Sequence, residues 1–149
     1  MISVVPASPA HVGVIANRMR ADDVEECRAM GFTPKQALRT SIRQSSEAWT
    51  VKVDGRPEAM FGLVVTSALG GQGRPWMLGT DAIYRHPRAM IRYGRRVLER
   101  WLDSTQCLTN LVSVGNHRAL RMLRRWGCSI RGEVIVFAGT EFVTFTLSR

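Results

Sequence analysis

The stretch from Trp76 to Cys128 constrains this 149-residue chain more than any other. It alternates in period: an extended apolar run over Trp76–Ala82, helical spacing from roughly Arg88 to Leu102, a second extended run over Cys107–Ser113, and helical spacing again over Asn116–Trp126. In the first helical stretch Met90, Val97 and Trp101 form an apolar stripe beside Ile91, Leu98 and Leu102, while arginines fill the other positions. Strand, crossover helix and strand make a βαβ unit, which requires a sheet with at least one parallel pair. The first strand-to-helix junction of such a unit is where anionic ligands commonly sit, on the amides of a helix N-terminus.

The segments on either side fill out an α/β domain. Ile2–Val5 suits a first strand, and Ser8-Pro9 opens a helix expected to run through about Met19. A second helix is expected over Asp22–Met30, closed by Gly31, and Thr33-Pro34 repeats the cap-plus-proline signal for a third that fades at Gln44. Trp49–Val53 and Ala59–Thr66, with Asp54-Gly55 between them, read as a hairpin. Leu69-Gly70-Gly71-Gln72-Gly73 has no helix start behind it, so it reads as a flexible connector and not a phosphate cradle. Glu133–Phe137 and Glu141–Leu147 form a closing hairpin. The expected fold is α/β: one domain over residues 1–149, with a twisted mixed sheet of about seven strands flanked by helices on both faces.

Charge is concentrated in one place. Between Arg85 and Arg131 stand eleven arginines against Glu99 and Asp103, which accounts for the net charge of +9. Arg92, Arg95, Arg96, Arg100, Arg121, Arg124 and Arg125 lie on the polar sides of the two helices and are the candidate partner-binding residues. A solvated arginine face with no partner is the plain alternative. Three separated cysteines, Cys27, Cys107 and Cys128, read as reduced packing residues, and no metal-ligand spacing occurs. Met1–Pro6 lacks a signal-peptide layout and no apolar run is long enough to span a membrane, so a cytoplasmic location is expected.

Two groups of residues point to a family. The element order, together with Asn116-His117-Arg118-Ala119-Leu120 and Arg125-Trp126-Gly127-Cys128, resembles the Gcn5-related N-acetyltransferases. Trp76-Met77-Leu78-Gly79-Thr80-Asp81, Arg85-His86-Pro87-Arg88 and Val114-Gly115-Asn116-His117 are similar to acetyltransferase-like and internal virion proteins of short-tailed bacteriophages. The first resemblance implies an acetyl-coenzyme A site. Leu78, Gly79, Thr80 and Asn116 would hold the pantetheine, Arg85 and Arg88 would attract the phosphates, and Asp81 would act as general base.

This chain departs from the family pattern at the phosphate turn, where Arg85–Met90 has no glycine and Pro87 removes a donor. It departs again where the family commonly places a tyrosine acid, since Leu123 stands there. The leading expectation is therefore a phage virion or assembly protein that keeps the acetyltransferase scaffold as a basic binding module without a cofactor. Its arginine face would dock on a portal, adaptor or internal protein or on packaged DNA, with self-association open. It would reside in the host cytoplasm during assembly, and then in the virion head or head-tail junction. The alternative is an active acetyl-coenzyme A-dependent N-acetyltransferase.

Overall fold

The computed structural model describes residues 1–149. Eight strands form one sheet: β1 (Ile2–Pro6), β2 (Glu47–Val53), β3 (Arg56–Ser67), β4 (Gln72–Gly79), β5 (Cys107–Ser113), β6 (Ser129–Ile130), β7 (Ile135–Phe137) and β8 (Thr140–Ser148), in the order β1-β2-β3-β4-β5-β8-β6 with β7 also on β8. Every pairing is antiparallel except β4 with β5. The helices are α1 (Pro9–Ala16), α2 (Ala21–Ala29), α3 (Pro34–Gln44), α4 (Pro87–Ser104) and α5 (His117–Arg125), with a 3₁₀ turn over Asp81–Arg85.

Strand alternation divides the helices between the two faces. Met60 packs with Val12, Ile15 and Leu38 of α1 and α3. Its neighbour Phe61 packs with Val97, Leu98 and Trp101 of α4. Val112, Leu120, Leu123, Val143 and Phe145 form a third cluster under α5. Trp126, just past α5, lies against Gly94 and donates from Nε1 to the Met90 carbonyl at 3.2 Å, which ties α5 to α4.

The cap signals act through the side chains that carry them. Ser8 accepts from the Ala10 amide, Thr33 and Gln36 form a reciprocal capping box, and Asn116 accepts from the Ala119 amide.

Two departures from the expected boundaries shape the site. The central strand runs Gln72–Gly79 and not Trp76–Ala82, because the glycine-rich stretch is a tight turn from which β4 pairs back on β3 at once. Gly73 sits where a Cβ would press on Leu63 at 2.8 Å and Leu108 at 3.1 Å, so glycine there permits close packing and is not a flexibility signal. At its other end β4 stops at Thr80, whose hydroxyl accepts from the Ala82 amide and starts the 3₁₀ turn. The first helix ends at Ala16 and not near Met19. Met19 and Arg20 run extended, Met19 pairs with Thr80, and the Arg20 amide donates to the Gly79 carbonyl at 2.9 Å. Strand β6 is two residues long and carries no periodicity to detect.

Candidate functional site

Parallel strands β4 and β5 share only two register pairs, Gln72 with Cys107 and Gly73 with Leu108. Beyond them the strands part, and the Asn110 side chain reaches across to the Pro75 carbonyl at 2.9 Å. Gly73 and Pro75 both face β5, so the two-residue period of a strand turns the Met77 and Gly79 backbone groups into the gap as well. A cleft of about 1240 Å³ runs through the split, bordered by Met77, Tyr84, Met90, Asn110, Asn116 and Trp126.

The predicted site residues separate on this geometry. Leu78 stands opposite Met60 on β3, and the Thr80 amide donates to the Glu58 carbonyl at 2.8 Å, so both turn their backbone away from the gap. Gly79 faces the gap, but its carbonyl is taken by the Arg20 amide and its own amide donates to Asp23 Oδ2 at 2.9 Å. Asn116 is buried beside the gap and committed on both sides. Its Oδ1 accepts from Arg20 at 3.1 Å, and its Nδ2 donates to Glu26 Oε2 at 3.1 Å. Asp81 is largely exposed, 3.8 Å from Arg20. Arg85 and Arg88 are exposed at the start of α4, while Leu123 is buried in the core under α5. All seven arginines expected to meet a partner are exposed; Arg100 pairs with Glu47 at 3.2 Å and Arg95 donates to the Arg125 carbonyl at 2.7 Å.

The sequence reading missed the group at the centre of the split. Arg20, 4% exposed, bonds Asp23 at 2.8 Å and lies 4.3 Å from the centre of the Tyr84 ring. Glu26 on the same helix accepts from the Ser113 amide at 2.8 Å, so α2 spans from β4 to β5. Asp22 and Asp23 read in the sequence as acids favoured near a helix N-terminus, which hides the different task of Asp23. Asp23 and Glu26 stand on a helix rich in acids, with nothing local to mark them as buried or bonded.

Burial pushes the Asp23 carboxyl up to about 7, against the opposing pull of Arg20 and the Gly79 amide. Burial also raises the Tyr84 hydroxyl, so the phenol keeps its proton at neutral pH. The sign for Asp23 follows from proton linkage. The native state holds a proton that the unfolded chain has released above its ordinary value, so stability falls as pH rises from about 4 to about 7. One such group contributes a slope of at most about 1.4 kcal/mol per pH unit. Urea melts across that window should show this decline in wild type and its loss in Asp23→Asn; equal slopes would refute the assignment.

The sequence matches no family model and no curated protein. Solved structures do match. Aminoglycoside acetyltransferase AAC(6')-Ib in complex with coenzyme A superposes with a TM-score of 0.69 at 15% identity, over 100% of this chain and 95% of that one. A provisionally assigned acetyltransferase from T. thermophilus gives 0.73 at 12% identity over 99% and 85%. A provisionally assigned phosphinothricin N-acetyltransferase gives 0.71 at 9% over 99% and 98%. At such identities the likeness establishes the fold alone: the chain has the acetyltransferase fold of the Gcn5-related kind. The expected likeness to phage virion proteins has no counterpart among these structures.

Proposed function

We propose that the chain is an acyltransferase of the acetyl-coenzyme A-dependent type, acting on an amine. The observation that carries this reading is the split between β4 and β5, which leaves Met77, paired with Phe61 of β3 on its other side, without a partner on the side facing β5, flanked by Asn116 at the start of α5. A pantetheine arm fits such an edge, and Arg85 and Arg88 stand exposed at the α4 terminus for the phosphates. The diphosphate would meet guanidinium groups and not a backbone nest, because Pro87 lacks an amide and the side chains in place of glycines obstruct approach to the others. The coenzyme supplies a thioester as the acyl source.

The remaining roles belong to this chain's own side chains. Asp23 borders the cleft and the exposed Asp81 does not, and a carboxyl raised toward neutrality suits proton exchange with an amine, so Asp23 is the better candidate base. Tyr84, kept protonated by burial, is the candidate acid in place of the tyrosine that Leu123 replaces.

One observation favours a second reading, in which the scaffold is a binding module of a virion or its assembly. Both polar backbone groups of Gly79 and both ends of the Asn116 amide are already satisfied by Arg20, Asp23 and Glu26, where a coenzyme would need them. The arginine face would then carry the function by docking a phage structural protein or DNA.

Thermal unfolding with acetyl-coenzyme A separates the two. Ligand at a hundred times its dissociation constant adds about 2.7 kcal/mol to the native state. That should raise Tm by about 5–10 °C in a chain of this size. No shift at millimolar acetyl-coenzyme A would sink the enzyme reading and leave the second standing.

A further inference from the structure

We infer that the groove between α4 and the end of α5 binds the phosphodiester backbone of duplex nucleic acid. The groove shares only Arg88 with the residues assigned to the coenzyme, so its other four arginines carry the inference whether or not the split performs acyl transfer. The groove is a concavity of about 480 Å³ lined by Arg88, Arg92, Arg95, Arg96 and Arg125, with Ile91 and Glu99. None of these arginines has a carboxylate within salt-bridge distance, whereas Arg100 further along α4 is paired with Glu47 and lies outside the groove. The cationic charge here is therefore free to meet a partner.

Two features hold the like charges together. Arg95 donates through Nε and a terminal nitrogen to the Arg125 carbonyl, at 3.2 and 2.7 Å. Gly94 lets the Trp126 ring lie against α4 with its Nε1 on the Met90 carbonyl. The groove is thus built before any partner arrives, and its self-repulsion is relieved by a polyanion. From Arg88 to Arg96 the face of α4 runs about 12 Å, room for a few phosphates of one strand.

The lining decides between nucleic acid and an acidic protein. A protein interface of useful affinity seats aromatic or aliphatic anchors in a desolvated pocket, and Ile91 is the only apolar residue this groove offers. The exposed ring on α4, Tyr93, packs edge-on to Phe61 and provides no stacking platform for bases. What is left is charge in a fixed array, and guanidinium forks match phosphate oxygens. Binding of this kind is insensitive to base sequence.

The test is fluorescence anisotropy of a labelled DNA duplex of about 20 base pairs with the full chain over a series of salt concentrations. Arg92→Gln with Arg96→Gln is the informative variant, because neither side chain makes an intramolecular bond whose loss would disturb the fold. A circular dichroism melt checks this. Wild type should bind with a steep salt dependence, and the double variant should lower the log–log slope by about 2, one unit per phosphate contact. Lys35→Gln with Arg39→Gln, on α3 across the sheet, should leave the slope unchanged. The inference is overturned if the duplex does not bind at low salt or if the α3 variant weakens binding as much as the α4 variant. It also fails if polyglutamate binds as tightly as the duplex, or if stoichiometric acetyl-coenzyme A displaces the duplex and so marks the groove as a nucleotide subsite.

Discussion

Arg20→Ala is expected to destabilise the fold by about 3–5 kcal/mol at pH 8, the cost of stranding a buried partner charge. Asp23 is ionised at that pH and 6% exposed, and without the guanidinium its carboxylate keeps only the Gly79 amide. Asn116 would lose the donor on its Oδ1, and Tyr84 the cation stacked on its ring. At pH 5 the loss should shrink, because a protonated Asp23 no longer needs a counter-charge. Urea denaturation of Arg20→Ala, Asp23→Asn and the double variant closes the cycle, and the double variant should recover more than about 1 kcal/mol relative to additivity. A single-variant loss below about 1 kcal/mol would mean the pair is screened like a surface bridge.

The second large effect runs against intuition from helix propensity. Glycine to alanine inside a helix ordinarily gains about 1 kcal/mol. At Gly94 of α4 an added Cβ would overlap the Trp126 ring, and both lie in a packed layer between two helices. We expect a net loss of about 2–3 kcal/mol from overpacking. Combining Gly94→Ala with Trp126→Leu should restore part of that loss by making space for the methyl group. If Gly94→Ala alone raises Tm, the indole is free to swing away and does not clamp the helices. Because Trp126 also sets the spacing of the arginine groove, the same variant should weaken duplex binding.

These effects show which parts of the molecule were written locally. The βαβ order, the Cys107–Ser113 strand and the third helix followed from periodicity and caps, since the same side chains that mark an end in sequence bond the backbone there. Trp101 fell on the apolar face that helical spacing assigned to it. Cys128 is buried as expected but Cys107 is only half-buried; burial pushes the Cys27 and Cys128 thiols up to about 12 and about 11, which leaves them inert.

The site was less legible. A point of divergence between two strands has no sequence signature, since each strand keeps its own alternation whether or not the neighbour stays beside it. Helical spacing draws Met19 into α1, and only the end of β4 beyond the β5 pairing pulls it into a bridge with Thr80. Asp23 and Glu26 satisfy amides on strands more than fifty residues away, so their neighbours in sequence gave no hint.

The narrow parallel junction has a bearing on how the chain assembles. Residues 1–79 contain every strand on one side of it, and residues 107–148 every strand on the other, each paired with near neighbours in order or by a short return. Two self-contained modules can therefore gather early at modest loop-closure cost. The covalent link between the two modules is the 3₁₀ turn with α4, and their docking is expected to need the side chains of Arg20 and Glu26 and the shared core as well as the two β4–β5 rungs.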